Sequence, residues 1–219
     1  MREFKYLVVG RSGAPKALEE RRTKANTVLL AVKKADLVHR PVIWSQKNYH
    51  YYVFENVDEF VGWYEGKAVE DRHFYEVIFG EMPQRLKLDL DHVVGELGEI
   101  MEAIRRAWEG LYGTQMPTAP ALYLFRTSAE GFHVIIDHVV PNVGAAKAFA
   151  ERVKAELSTV LQTPGPSPVD MAVFATTQNF RIWGSSKPPV TGLDSTPRMV
   201  KTLINGQKIN LRDTLIRVY

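Results

Sequence analysis

Two aspartates, Asp89 and Asp91, lie one residue apart at the end of the run RLKLDLD. This run alternates polar and apolar residues, so it predicts a strand, Arg85–Asp91, with Leu88 and Leu90 on one side and both carboxylates on the other. Two close carboxylates repel each other unless a cation lies between them, and their hard oxygens suit Mg²⁺ or Mn²⁺. The pair therefore indicates a divalent-metal site, although an isolated D-x-D is more often an acidic strand end that faces solvent.

A third aspartate, Asp170, and a histidine, His133, each begin a further predicted strand. Three carboxylates are the ligand type that two-metal phosphoryl or nucleotidyl transfer uses, so Asp89, Asp91 and Asp170 are predicted to bind metal and to be catalytic. His133 could contact a phosphate as a cation or as a neutral donor. A lone histidine on a strand is nevertheless more often structural.

A group of phosphate-binding residue types follows in the segment QNFRIWGSSK, residues 178–187. Arg181 offers a bidentate fork, Lys187 a point charge, and Ser185 and Ser186 hydroxyl donors, which together suit a triphosphate. The alternative is an exposed basic turn that ends at the two prolines after the lysine.

The second half of the chain contains the elements that would position these residues, in the order strand–helix–strand–strand–helix–strand. The predicted strands are Arg85–Asp91, Ala121–Arg126, Phe132–Val139 and Asp170–Phe174, the last continued or paired by Phe180–Trp183. Apolar residues at helical spacing predict one helix between Leu97 and Leu111 and another between Ala146 and Val160, the second capped by Asn142. This order is typical of RNA-recognition-like sheets, in which the first strand lies between the third and the fourth and is antiparallel to both. The candidate residues are therefore expected at one sheet edge.

The first half of the chain predicts a smaller αβ module. Its predicted strands are Phe4–Gly10, Val42–Trp44, Tyr51–Phe54 and His73–Ile78, and its predicted helices run from Pro15 to about Asp36 and over Val57–Tyr64. We therefore predict an α/β (α+β) fold with an N-terminal αβ module, residues 1–84, and a C-terminal RRM-like βαββαβ sheet module, residues 85–219.

Composition sets broad limits on the class of protein. The chain has 219 residues, 45% of them hydrophobic and 24% charged, which fits a globular domain or two small ones sharing a cleft. Its formal charge of +3 and pI of about 9.0 are compatible with a nucleic-acid partner without requiring one. The absence of cysteine excludes disulfides and a zinc site of Cys type. No apolar run has the length of a membrane span, and the N-terminus lacks a signal-peptide pattern, so we expect no membrane partner and a soluble intracellular protein of the cytoplasm, the nucleoid or nucleus, or a viral replication site.

Three motifs resemble those of the archaeo-eukaryotic primase superfamily: RLKLDLD, GFHVII and VDMAVFATTQNFRIWGSSK. The likeness is greatest to the branch of PrimPol and the primases of herpesviruses and large DNA viruses. The third motif is the most specific because its signature, D-x-x-V-(F/Y)-x-x-x-x-N-F-R-(I/L)-(W/Y)-x-S-S-K, is long. HFYEVI and DTLIRVY resemble the flanks of that catalytic core, and the likeness covers roughly residues 40–219. It implies a primase core whose active site lies in the cleft between two modules.

Carried over residue by residue, the resemblance implies that Asp89, Asp91 and Asp170 hold two divalent metals, Mg²⁺ or Mn²⁺. It also implies that His133, Arg181 and Lys187 contact the triphosphate of an incoming NTP or dNTP. The same similarity suggests Lys47 as a further triphosphate contact.

The second motif departs from the family pattern at two positions. Gly131 stands where relatives have a serine, and Ala129 where many have a lysine. Some phosphate contacts are therefore lost, or Ser128, Arg126 or the Gly131 backbone N–H replaces them.

The implied activity is template-directed DNA primase or polymerase chemistry, with a single-stranded DNA template and a primer as partners. The template is expected along the N-terminal part, where Tyr49, Tyr51 and Tyr52 are equally consistent with stacking surfaces and with core positions. Relatives that start primers often use an additional zinc-binding or helical module. Because this chain has no cysteine for a zinc module of Cys type, we expect either a core of a larger primase–helicase polypeptide or a chain that extends strands better than it starts them.

Other classes of protein could use the same acidic pair. A metal-dependent nuclease does not need the cations of Arg181 and Lys187, and a D-x-D glycosyltransferase does not explain the third motif. A non-catalytic RRM-like module would bind nucleic acid through aromatic residues on its sheet face. Binding of nucleoside triphosphates would discriminate between these classes.

Overall fold

The structure, a computed structural model, describes residues 1–4, 6–10, 29–33, 37, 39–93, 97–116, 122–128, 130–160, 167–188, 200–204 and 209–219. Its strands are β1 (Arg2–Phe4), β2 (Tyr6–Gly10), β3 (Leu29–Lys33), β4 (Val42–Ser45), β5 (His50–Val53), β6 (Phe74–Phe79), β7 (Gln84–Leu90), β8 (Leu122–Arg126), β9 (Phe132–Val140), β10 (Thr177–Arg181) and β11 (Thr202–Leu203). Its α-helices are α1 (Val57–Glu65), α2 (Leu97–Tyr112) and α3 (Val143–Val160), and short 3₁₀ helices cover Val69–Asp71, Met171–Phe174 and Leu211–Thr214. The predicted mixed α+β class is confirmed.

Two antiparallel sheets dominate the fold. The first has the strand order β1-β5-β4-β6-β10 and the second the order β11-β8-β9-β7, while β2 and β3 form a separate parallel pair. In the second sheet β7 pairs with β9 and β9 with β8, which is the predicted arrangement of the first three strands of the RRM-like unit.

Each helix covers a sheet because its apolar residues recur every three to four positions and form one stripe. Helices α2 and α3 pack on one face of the second sheet, against Leu88 and Leu90 of β7. Helix α1 packs on the first sheet through Phe60 and Tyr64. The predicted cap of α3 is confirmed, because the Asn142 side chain accepts a hydrogen bond from the Ala145 N–H at 3.1 Å.

One predicted helix is wrong over part of its length. Leu29–Lys33 was assigned to the helix from Pro15 to about Asp36, but it forms strand β3, parallel to β2. The run LLAVK contains a β-branched valine, which favours a strand once a parallel partner supplies the hydrogen bonds. The rest of that predicted helix lies outside the described residues.

The predicted fourth strand of the RRM-like unit is also wrong. Met171–Phe174 forms a 3₁₀ helix, because the Asp170 carboxylate accepts a hydrogen bond from the Ala172 N–H at 2.8 Å and turns the chain. The strand that follows, β10, pairs with β6 in the first sheet. The C-terminal half of the chain thus contributes a strand to the N-terminal sheet, and the division at residue 84 remains a prediction.

Among the described residues, no helix combines the length and the apolar character that crossing a bilayer requires.

Candidate catalytic site

Asp89 lies between His133 and Asp170 at the edge of the second sheet. On one side, β7 and β9 pair with Asp89 directly opposite His133. On the other side, Leu90 forms a bridge with Val169, and the Asp170 N–H donates to the Asp89 carbonyl at 2.9 Å. Directly opposed residues of antiparallel segments point to the same face, so the three side chains form a row.

Asp91 joins this row because side chains two residues apart on a strand share a face. Its N–H donates to the Pro168 carbonyl at 2.8 Å, which extends the pairing past the end of β7. Leu88 and Leu90 point to the opposite face and are fully buried. The three aspartates therefore lie along one rim, on the face that the alternating pattern predicts.

The three carboxylates interact electrostatically. Partial burial raises the pKa of Asp91, and repulsion from Asp89 and Asp170 raises it further, while Lys187 opposes the shift. Burial also disfavours ionisation of Asp89, but the attraction of His133, Lys201 and Arg181 outweighs it and leaves the pKa of Asp89 lowered. The rim thus concentrates negative charge beside cationic side chains, which is the environment that a divalent cation stabilises.

The rim suits a metal that shares its ligands with a substrate. In the part of the chain that the structure describes, no three histidine or acidic side chains converge as a complete ligand set. One oxygen of Asp170 is already hydrogen-bonded to the Ala172 N–H. Mg²⁺ is commonly held by one or two carboxylates together with waters and substrate phosphates, so an open set of hard oxygens fits it. Asp89, Asp91 and Asp170 are the residues that would hold such an ion.

His133 is buried behind Asp89. It is 5% exposed, its Nε2 lies 3.2 Å from Asp89 Oδ1, and its ring packs on Phe180 with centroids 4.3 Å apart. Burial lowers the pKa of His133 to about 4, although Asp89 favours the charged form. Nε2 is placed to donate to Asp89, and Nδ1 has no partner among the described residues. His133 accordingly orients the carboxylate of Asp89, and its predicted contact with the triphosphate remains a prediction.

Arg181 and Lys187 place positive charge beside the carboxylates. Arg181, 5% exposed at the end of β10, donates to the Thr127 carbonyl at 3.3 Å, and its Nε has no hydrogen-bond partner in the described part of the chain. Burial lowers the pKa of Arg181, while Tyr75, Asp89 and Asp91 favour its charge. Lys187 is exposed and acts on Asp91. A buried guanidinium with a free nitrogen and an exposed ammonium are suited to hold an anionic group here.

Ser185 and Ser186 have protein partners. The Ser185 hydroxyl lies 2.8 Å from the hydroxyl of Tyr64, and the Ser186 hydroxyl lies 3.2 Å from Nδ1 of His73. Both serines are buried, so the structure shows them holding the turn after β10. Their predicted contact with a triphosphate remains a prediction.

Gly131 and Lys47 lie in two different turns. The Gly131 carbonyl accepts the Thr127 N–H at 2.9 Å and closes the turn between β8 and β9. Lys47, in the turn between β4 and β5, forms an ion pair with Asp71 at 2.8 Å. Their proposed roles in triphosphate binding also remain predictions.

Lys201 is a residue of the site that sequence reasoning missed. It is fully buried, donates to the Arg181 carbonyl at 2.7 Å, and lies over the rings of Phe125 and Phe180 at 4.5 and 4.6 Å. Burial, followed by repulsion from Arg181, lowers its pKa well below the usual value. The sequence signal that could have revealed Lys201 is a lysine in the short run VKTLI, part of which forms strand β11.

Comparison with known proteins links the chain to viral replication proteins. No protein-family model matches it. Two African swine fever virus proteins, from the isolate Pig/Kenya/KEN-50/1950 and the Vero-adapted strain Badajoz 1971, are 28% and 27% identical to it over 172 and 182 residues. Each match covers 67% of this chain but only 16% and 17% of the viral protein. Both are named "Putative helicase/primase complex protein". The similarity relates this chain to primase-like viral proteins, and the finer assignment to a PrimPol or herpesvirus branch remains a prediction.

Proposed function

We propose that this chain is the catalytic core of a template-directed DNA primase or polymerase. It would transfer a nucleotide from an NTP or dNTP to a 3′-hydroxyl and release pyrophosphate. The observation that carries the proposal is the position of Asp170 opposite Asp89, with Asp91 on the same rim and Arg181 and Lys187 beside it. Residues from separate parts of the chain thus form one acidic site next to a cationic one.

Each residue has a role that follows from its position. Asp89, Asp91 and Asp170 would hold Mg²⁺ or Mn²⁺, which when bound supplies activation of the attacking hydroxyl and charge stabilisation of the leaving pyrophosphate. Arg181 and Lys187 would bind the triphosphate electrostatically. His133 would keep the Asp89 carboxylate in place through Nε2–H.

The comparisons support a role in DNA replication, because the viral relatives are named for a helicase/primase complex. That name also supports association with a helicase. Since the chain matches about one sixth of each viral protein, we infer that further domains supply the helicase function and assist the start of primers.

Two alternatives fit the structure less well. An RRM-like binding module needs an accessible aromatic sheet face, but this sheet buries Phe125 and Ile135 against Phe180 of the other sheet. A nuclease could use the same carboxylates, but it has no need for Arg181 and Lys187 beside them.

The test is extension of a labelled primer on a single-stranded template, with NTPs or dNTPs and with Mg²⁺ or Mn²⁺. We expect the unaltered chain to extend the primer and Asp89→Asn or Asp170→Asn to abolish extension, because each removes a metal-binding charge at constant shape. The matched control is Asp137→Asn, which alters an exposed aspartate of β9 that pairs with Arg85, away from the site.

The outcomes separate the candidate functions. Extension retained in Asp89→Asn or Asp170→Asn would remove that residue from the metal site. Shortening of the labelled strand by the unaltered chain, without extension and without triphosphate binding, would favour the nuclease and end the polymerase proposal. Unprimed synthesis on a single-stranded template would show that this segment starts primers unaided.

A further inference from the structure

Tyr49 is exposed at the tip of the hairpin between β4 and β5. Its side chain is 67% exposed, the largest value among the exposed large hydrophobic residues of the described chain. Its φ is +57°, a left-handed backbone conformation that a tyrosine rarely adopts. The Tyr49 N–H donates to the Ser45 carbonyl at 2.8 Å, which closes the turn. The turn therefore holds an aromatic ring in solvent at a conformational cost, as is typical of functional positions.

The neighbouring tyrosines differ from it. Tyr52 is 6% exposed and packs in the core of the first sheet, and Tyr51 is half-buried. Of the three tyrosines expected either to stack or to lie in the core, Tyr49 is the most exposed.

The Tyr49 ring is backed by an aromatic row that leads to the candidate catalytic site. Its edge meets Trp44 at a centroid distance of 6.3 Å, and Trp44 meets Tyr75 at 5.4 Å. Trp44 is directly opposite Tyr75, and Tyr75 is directly opposite Arg181, so these three side chains share a sheet face. Adjacent strands are about 4.8 Å apart, so Arg181 lies roughly 10 Å beyond Trp44. That span is two inter-strand spacings.

We propose that Tyr49, backed by Trp44, is a stacking platform for one unpaired base of a single-stranded DNA template on its way to the carboxylate rim. This inference deepens the proposed function and rests on it for the identity of the strand. Every base has a π face, so one exposed ring binds a strand without reading its sequence. Lys187, exposed at the rim, provides charge complementary to the phosphates, while Lys47 in the same turn as Tyr49 is exposed and ion-paired with Asp71.

The experiment measures binding of a fluorescently labelled single-stranded oligodeoxynucleotide by anisotropy, in EDTA and without nucleotides. The test variant is Tyr49→Gly, because glycine accepts the left-handed backbone and so removes the ring while keeping the turn. We expect the dissociation constant to rise by about 5- to 150-fold, the range measured for loss of one stacked base. Tyr49→Phe keeps the ring, and we expect it to bind far more tightly than the glycine variant.

The matched control is Leu111→Ala, which removes another exposed hydrophobic side chain, on α2. Oligonucleotides with a single abasic site at successive positions identify the stacked base. We expect one position to weaken binding to the unaltered chain and to have no further effect in Tyr49→Gly. Equal affinity of the unaltered chain and Tyr49→Gly for the single-stranded oligonucleotide would overturn the platform. Duplex DNA that competes as well as unlabelled single-stranded DNA would also overturn it.

Failure of the platform and failure of the proposed function give different results. Unchanged oligonucleotide binding by Tyr49→Gly, together with normal primer extension, would remove only the platform. Binding that depends on Tyr49 in a chain that extends no primer would remove the polymerase and retain the platform for single-stranded DNA.

Discussion

Asp89 has a partner on each side of its strand. His133 reaches it from β9 through a 3.2 Å contact, and Asp170 lies opposite it through the bridge at Leu90 and Val169. Arg181 on the first sheet and Lys201, which directly precedes β11 of the second sheet, also favour its charge. The ionised state of this one carboxylate therefore depends on His133, Lys201 and Arg181, which come from three separate segments.

Lys201 offers a residue-scale prediction. Its ammonium supports the Arg181 carbonyl at 2.7 Å, so we class it as a positioning residue. The substitution Lys201→Met nearly keeps the side-chain volume but removes the hydrogen-bond donor. Loss of the donor to a buried acceptor lowers the free energy of unfolding by about 1–3 kcal/mol. We expect the KM for the nucleotide in primer extension to rise about tenfold with a smaller change in kcat, because Arg181 shifts and nucleotide binding weakens.

The control for Lys201 is Lys154→Met, which removes an exposed lysine on α3. A variant that loses stability but keeps its nucleotide KM would assign Lys201 a purely structural role.

At the scale of elements, β7 carries buried charge along the same face as its aspartates. Lys87 is fully buried, two residues before Asp89, and donates to the Gln84 side chain at 2.9 Å. Burial lowers the pKa of Lys87 to about 7, although Glu76 favours the charged form. The unfolded chain, with an ordinary lysine pKa near 10.4, binds the proton more tightly than the folded chain.

Stability should therefore rise with pH above about 7. Between the folded and unfolded pKa values the unfolded state binds more protons, so the free energy of unfolding increases with pH there. We expect the unaltered chain to gain about 2 kcal/mol relative to Lys87→Met between pH 7 and pH 9. Urea denaturation of both chains at each pH measures this, and Lys154→Met should keep the slope of the unaltered chain. Parallel pH profiles for the unaltered chain and Lys87→Met would contradict the assignment.

The turn between β8 and β9 leaves little room for the serine that the primase resemblance would place at residue 131. A Cβ at residue 131 would lie 2.5 Å from the Ser128 hydroxyl and 2.8 Å from the Thr127 hydroxyl. We expect Gly131→Ser to lower the free energy of unfolding by about 1 kcal/mol, the low end for overpacking, since the hydroxyls can rotate away.

Removing the nearer hydroxyl should relieve part of this cost. We therefore expect Ser128→Ala to be less destabilising in the Gly131→Ser background than additivity predicts, as a double-mutant cycle by chemical denaturation would show. Additive effects would mean that the two side chains do not compete for space.

At the scale of the whole molecule, residues 215–219 join the two sheets. Glu76 on β6 accepts hydrogen bonds from the N–H groups of Ile216 and Arg217 at 2.6 and 2.9 Å and from the Tyr219 hydroxyl at 3.0 Å. On the other side, the Arg85 N–H donates to the Ile216 carbonyl at 2.7 Å. The DTLIRVY flank of the primase resemblance therefore has a structural role, which fixes the position of the first sheet relative to β7.

Glu76→Ala tests this connection. It leaves buried N–H groups without acceptors and removes a fully buried carboxyl, so we expect a loss of about 3–5 kcal/mol of unfolding free energy. Thermal and urea denaturation measure the loss, and Glu70→Ala, on an exposed 3₁₀ turn, is the control. If Glu76→Ala lost less unfolding free energy than Glu70→Ala, residues 215–219 would not connect the two sheets.

The local sequence pattern determined which strand residues are buried and where the helices lie. The alternation in RLKLDLD placed Leu88 and Leu90 in the core and the two aspartates on the other face. The apolar stripes located α2 and α3, because side-chain periodicity directly reports which face is buried. The connection rules of an RRM-like unit predict from the sequence that His133 and Asp170 lie beside Asp89.

Only the tertiary structure decided which distant segments pair. Met171–Phe174 reads as a strand by composition, but the Asp170 cap turns it into a 3₁₀ helix, and β10 joins β6 because hydrogen-bond partners far apart in the chain leave no local pattern. For the same reason the sequence did not reveal the roles of Lys201 and Glu76, which depend on backbone groups of other segments. The hydroxyls of Ser185 and Ser186 are buried against Tyr64 and His73. This burial also follows from packing between distant elements, which the local sequence pattern does not predict.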